Sequence, residues 1–189
     1  MNTENRVSPQ APEIEEAIIG ACLIEQRAIP LIADKLRPEM FYVLRHQLIY
    51  AAILAMYHAG MKIDILTVKE ELAHRGKLEE AGGAFGITRL SSIVATSAHI
   101  EYHMQIVHEK YLRREMILGL NKLLACSLDE TMDIADTLID AHNLLDRLEG
   151  EFGHNDHMRD MDALMTDTME EAEQRIALSL IHISEPTRR

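Results

Sequence analysis

About thirty residues from Ser97 to Cys126, SAHIEYHMQIVHEKYLRREMILGLNKLLAC, contain no proline and a single glycine, Gly119. Leu112, Met116, Leu120 and Leu123 fall at i, i+4, i+8 and i+11, and Ile117 and Leu124 widen that line into one apolar face of a helix. Glu109, Lys110, Arg113, Arg114 and Lys122 occupy the other sides. Such a face has to be covered. After Ser127 to Glu130, Thr131 is placed to cap a second helix reaching Glu149, in which Ala135, Leu138, His142, Leu145 and Leu148 recur at steps of three and four. Two long amphipathic helices joined by so short a loop must lie antiparallel, so the spacing predicts a helical hairpin over 97–150.

The residues before it read as a compact helical head over 12–96. Residues 1–11 are polar and unpatterned, a disordered arm. Pro12 then opens a helix with Glu13, Glu15 and Glu16 in its first turn, where they favour the helix dipole, and with Ile14, Ile18, Ile19 and Cys22 inward. Gly20 in mid-helix lets another element come close. A second helix is expected over 28–35, ended by Pro38, and RPEMFY gives a short helical turn that places Phe41 and Tyr42 as aromatic anchors. The stretch His46 to His58 is apolar on most sides, the central core helix, stopped at Ala59-Gly60. Thr67 and Glu70 have capping-box spacing for a helix reaching Arg75, and Ala84 to Val94 forms another short helix. No strand is needed, and the fold class is all-α with about six helices.

With 189 residues, 47% of them apolar but no Trp and three Phe, the core has to be aliphatic. No apolar run approaches the roughly 18 residues of a membrane span, and the start lacks the basic-then-apolar order of a secretory signal, so a cytoplasmic protein with no membrane contact is expected. Cys22 and Cys126 sit in apolar helical patterns, expected buried and reduced. Residues 1–126 hold 15 acidic against 14 basic side chains, whereas 127–173 hold 15 acidic against Arg147 and Arg159 alone. That second segment is poorly suited to a phosphate backbone. It is either a solvated acidic face or a docking surface for a basic protein.

Residues 151–160 have two nearby glycines, charges and no periodicity, a linker. A last helix over 161–177 carries a stripe of Met161, Leu164, Met165, Thr168 and Met169, continued by Ala172 and Ile176. With nothing left in the chain to cover it, the stripe is expected to dock on another domain or subunit. Leu178 to Arg189, LSLIHISEPTRR, breaks the pattern and reads like translated sequencing adapter, a non-native tail.

The ten histidines supply no metal signature. His99 and His103 stand at i, i+4 without a Glu directly after the first, and His154 and His157 flank Asn155-Asp156 with no sign of a rigid cage. Adjacent carboxylates such as Glu15-Glu16 and Glu70-Glu71 read as helix-start and surface charges. Arg113 and Arg114 are expected to pair across the hairpin with Asp136 or Asp140, or else to form an interface edge.

Local phrases in order carry a resemblance: Glu13 to Leu23 with Gly20; Leu36-Arg37-Pro38-Glu39-Met40-Phe41-Tyr42 with His46 and Ile49; Ile63-Asp64 with Thr67 and Leu72; Gly76 with Leu78; Gly82-Gly83 and Leu90. Ser97-Ala98, Ile100, Tyr102, Ile106-Val107 and Arg113 to Ile117 complete the string. Residues 12 to about 176 thus resemble the N-terminal domain and linker helix of the bacterial replicative DNA helicase, the DnaB family. Gly86 departs from it, since similar sequences place an aromatic residue there; Phe85 beside it is expected to fill the space. The family's RecA-like motor has a P-loop, and none occurs here: the lone Gly-Lys pair, Gly76-Lys77, has Glu71 at the first glycine position and Leu78 after it. The chain is therefore expected to hydrolyse no ATP and to contain no catalytic, cofactor or metal site, with ATP and magnesium belonging to the motor.

The resemblance implies that the hairpins pair two subunits through Leu112, Met116, Leu120, Leu123, Leu138, His142, Leu145 and Leu148. Pairs would build the N-terminal collar of a hexameric ring that recruits primase, with a helicase loader as a further partner and DNA reached only through the motor. It also implies that the 161–177 helix grips a neighbouring subunit's motor. A free-standing helical adaptor that only binds proteins is the alternative.

Overall fold

In the computed structural model, residues 7–93, 97–129 and 131–153 are described. The linker from residue 154 on, the 161–177 helix with its Met161, Leu164, Met165, Thr168 and Met169 stripe, and the 178–189 tail lie outside them. The described residues form six α-helices and no strand: α1 (Pro12–Ile24), α2 (Leu44–His58), α3 (Ile65–His74), α4 (Gly83–Ile93), α5 (Ile100–Leu128) and α6 (Ile134–Gly153). Two 3-10 segments, Gln26–Leu31 and Pro38–Met40, lie between α1 and α2. The all-α expectation therefore holds. The chain divides into two compact units, Met1–Leu144 and Leu145–Arg189, and the contacts described below lie in the first.

Helix α1 starts with Pro12, whose fixed φ and missing N–H suit the first helical position. It is the centre of the head, packing on α2, α4 and α5. Ile18, Ile19, Cys22 and Leu23 of α1 meet Ile49, Tyr50, Ile53 and Met56 of α2 in the core. Phe41 packs against Tyr50 with ring centroids 5.0 Å apart. Burial pushes the Cys22 thiol up to about 12, so it stays protonated. Helix α2 ends in a left-handed Gly60 (φ +67°), with Met61 N–H donating back to the Met56 carbonyl at 2.9 Å.

Five local expectations need correction. The helix expected over 28–35 is a 3-10 segment over Gln26–Leu31 with Pro30 inside it. The cap of α3 is Asp64 and not Thr67: Asp64 Oδ1 accepts from Leu66 and Thr67 N–H at 2.8 and 2.9 Å, while Thr67 Oγ1 accepts from Asp64 N–H. Likewise α6 begins after Asp133, whose Oδ1 accepts from Ala135 N–H at 2.9 Å, whereas Thr131 bonds Asp129. At its other end α6 continues to Gly153, into residues read as linker. Phe85, expected to fill the space at Gly86, is 82% exposed.

Candidate functional site

The first half of α5 belongs to the head, where Ile100, Met104, Val107 and His108 are buried. Arg114 marks where the helix leaves it. Its Nη1 donates to the Pro9 carbonyl at 3.0 Å and its Nη2 to the Met40 carbonyl at 2.6 Å. The guanidinium lies 5.6 Å from the Tyr42 ring centroid and 5.9 Å from that of Tyr111. Three elements are thereby tied to one side chain, and Pro9 is held although it falls in the stretch read as a disordered arm. The expected pairing of Arg113 or Arg114 with Asp136 or Asp140 is corrected: Arg113 bonds Glu109 one turn back, at 2.7 Å, and Lys122 takes Asp140, at 3.2 Å. Arg114 lies on the side of α5 that faces the head; Lys122, two turns later, faces α6.

A second anchor beneath the Pro38–Met40 turn was not legible as such. Glu15, read as a helix-start charge, is buried. Its carboxylate accepts from Tyr42 N–H at 2.6 Å and Val43 N–H at 3.2 Å and stands 2.8 Å from His46 Nδ1. A buried carboxylate with three partners fixes α1 to the start of α2. The sequence did hold a signal for it. Glu15 lies on the Ile18, Ile19, Cys22 line of α1, and His46 on the Ile49, Tyr50, Ile53 line of α2.

Beyond the Arg114 clasp, α5 meets the first part of α6 at two points. Gly119 lies against Leu144, and Lys122 pairs with Asp140, so sequence number rises on one helix as it falls on the other: the pair is antiparallel. A Cβ at Gly119 would stand 3.0 Å from Leu144 Cγ and closer still to its methyls, so the single glycine of the long helix is a notch for Leu144. Thr137 and Leu144 are buried along this seam.

The seam uses only part of the apolar surface. Of the residues that the sequence placed on the hairpin and oligomer interface, Leu112, Leu123 and Leu148 are half-buried. Met116, Leu120, Leu138, His142 and Leu145 are exposed, with Leu120 at 49% and Leu138 at 64%. Ile117, Leu118, Leu124 and Ile139 are exposed as well. An apolar surface of this extent on two helices is more than scattered surface leucines explain. Acidic groups lie on the same segment: Asp136 and Asp140 on α6, and Asp133 and Asp129 before it, the carboxyl of Asp129 being held below the usual range by hydrogen bonds from the Thr131 hydroxyl and N–H.

Among the described residues no group of three or more His, Cys, Asp or Glu side chains could hold a metal ion, and no helix is long and apolar enough to cross a membrane.

A family model described as the DnaB-like helicase N terminal domain matches residues 7–109. The chain belongs to that family. The match is to the N-terminal domain of that family. The replicative DNA helicase DnaB of Rhodothermus marinus is 40% identical over 173 residues, 90% of this chain but 18% of that protein. The chain thus spans less than a fifth of the length of that relative. The crystal structure of the N-terminal domain of DnaB helicase from Mycobacterium tuberculosis is similar at a TM-score of 0.66 and 33% identity, covering 77% of this chain and 97% of that one. A DnaB-like replicative helicase whose structure is described with its interactions with primase shares the fold at a TM-score of 0.60 and 24% identity, over 75% of this chain and 31% of that one.

Proposed function

We propose that this DnaB-like domain forms the N-terminal collar of a hexameric replicative helicase and recruits primase to it. The observation that carries the reading is the exposed apolar face of α5 and α6. Two copies that lay Leu112, Met116, Leu120, Leu123, Leu138, His142, Leu145 and Leu148 against one another bury a self-complementary patch, as a two-fold pair requires. Three such pairs close a ring. The Arg114 clasp and the buried Glu15 support this assignment, because a paired hairpin transmits geometry only when it is held firmly to its head.

Primase is the proposed recruit because a helicase of the same fold is described with its interactions with primase. Repeated docking sites around a ring would hold primase near the emerging strand at high effective concentration. A helicase loader is a further proposed partner. The 161–177 stripe of Met161, Leu164, Met165, Thr168 and Met169 is proposed to dock on the motor of an adjacent subunit. ATP, magnesium and DNA would be handled by that motor, in the cytoplasm where replication takes place.

The test is binding of the cognate primase to the 189-residue chain and to its Leu120→Glu variant by surface plasmon resonance. The wild type should bind and the variant should lose at least tenfold in affinity, on the order of 1.4 kcal/mol. Folded wild-type protein that leaves primase unbound removes recruitment from the account.

A further inference from the structure

Away from the hairpin, α1, α2 and α4 enclose a cleft of about 200 Å³. Gly82 and Gly86 line it, and side chains missing at both positions leave the space open. Gly86 has an ordinary right-handed backbone, and a Cβ there would meet only the Ala81 carbonyl, at 3.6 Å. The notch is therefore not forced by backbone conformation at that position. Phe85 also lines the cleft, yet 82% of it is exposed, a large aromatic face held in water in a chain with only three Phe.

The polar wall consists of Glu16, Arg45 and Arg89. Glu16 Oε1 lies 3.1 Å from Arg89 Nη2 and 3.4 Å from Arg45 Nη2. The Arg45 and Arg89 side chains remain 49% and 57% exposed. Both guanidiniums converge on this one carboxylate at the edge of the notch. Arginine forks at the rim of an apolar notch match a carboxylate next to a ring, because the ring supplies buried area and the fork takes the carboxylate.

We infer that this cleft is a docking site for a protein segment that presents an aromatic side chain flanked by acidic residues. The ring enters the Gly82–Gly86 notch and stacks beside Phe85, and the flanking carboxylate meets Arg45 and Arg89. This goes beyond the collar reading and uses none of the hairpin surface.

The chain has no Trp, so the emission of a tryptophan probe reports on the probe alone. The experiment titrates the full chain into acetyl-Gly-Asp-Trp-Asp-Gly-amide and follows the emission maximum. The inference predicts a saturable blue shift with a dissociation constant on the order of 1 mM, as suits one ring and one ion pair. Filling the notch with Gly86→Leu should weaken binding at least tenfold, as should Arg89→Gln, and the Asp→Asn peptide should bind the wild type correspondingly less well. Phe85→Ser alters an exposed side chain, so it keeps the fold and should also weaken binding. Free-tryptophan emission with the chain at about 2 mM, where a site of that affinity is mostly filled, or equal binding by the Gly86→Leu or Phe85→Ser protein, overturns the inference.

Discussion

Glu15 shows how much one buried carboxylate can decide. It satisfies the N–H groups of Tyr42 and Val43 just before α2 and faces His46 from α1, so it joins two core helices and the turn between them. Glu15→Ala should strand all three partners in the core and cost about 3 kcal/mol. The midpoint of urea denaturation checks this, and a variant as stable as wild type would show that the anchor is dispensable. A count of charges at helix starts places Glu15 at the surface. Its phase along α1 places it inside, and phase is the better guide, because the fold buries a face whatever residues it carries. The Arg114 clasp is different. Its acceptors are the backbone carbonyls of Pro9 and Met40, more than seventy residues away, and carbonyl acceptors leave no side-chain signature to read.

At the scale of elements, helices were legible wherever a long apolar period ran without a breaker, as in α2 and α5. Their caps were less so, since several polar residues compete near each start. Asp64 wins over Thr67 at α3 because the helix begins at Ile65, which leaves Thr67 at the third helical position and able only to return the bond. Hydrogen bonds from Thr67 and Leu66 N–H hold the Asp64 carboxyl below its ordinary value of 3.8. The depressed folded value makes the cap's contribution full above the ordinary value and lost as pH falls through the folded one. Asp64→Ala should therefore cost about 1 kcal/mol near neutral pH, with the gap from wild type closing in acid. Thermal melts at neutral pH and in strong acid test both halves. Gly119 makes an element-scale prediction of its own. Gly119→Leu improves helix propensity yet strikes Leu144, so the seam should open and stability fall by about 1–3 kcal/mol. A more stable variant by urea denaturation would mean that α6 has no need of the notch.

For the whole molecule, the surplus of apolar helix surface is the feature that points to association. The head has its own core, whereas the hairpin buries Leu144 and Thr137 and leaves Met116, Leu120 and Leu138 to water. Sequence periodicity could tell that α5 carries an apolar face. It could not divide that face between α6 and the proposed second copy, because both would draw on leucines of the same period, and the glycine notch against Leu144 acts through the absence of a side chain. Equilibrium sedimentation of the 21.5 kDa chain decides the central claim. The account predicts at least twice the single-chain mass at tens of micromolar, and a Leu120→Glu variant of unchanged helical circular dichroism that sediments as one chain. Wild-type protein at the single-chain mass, or a variant that associates as the wild type does, would contradict it.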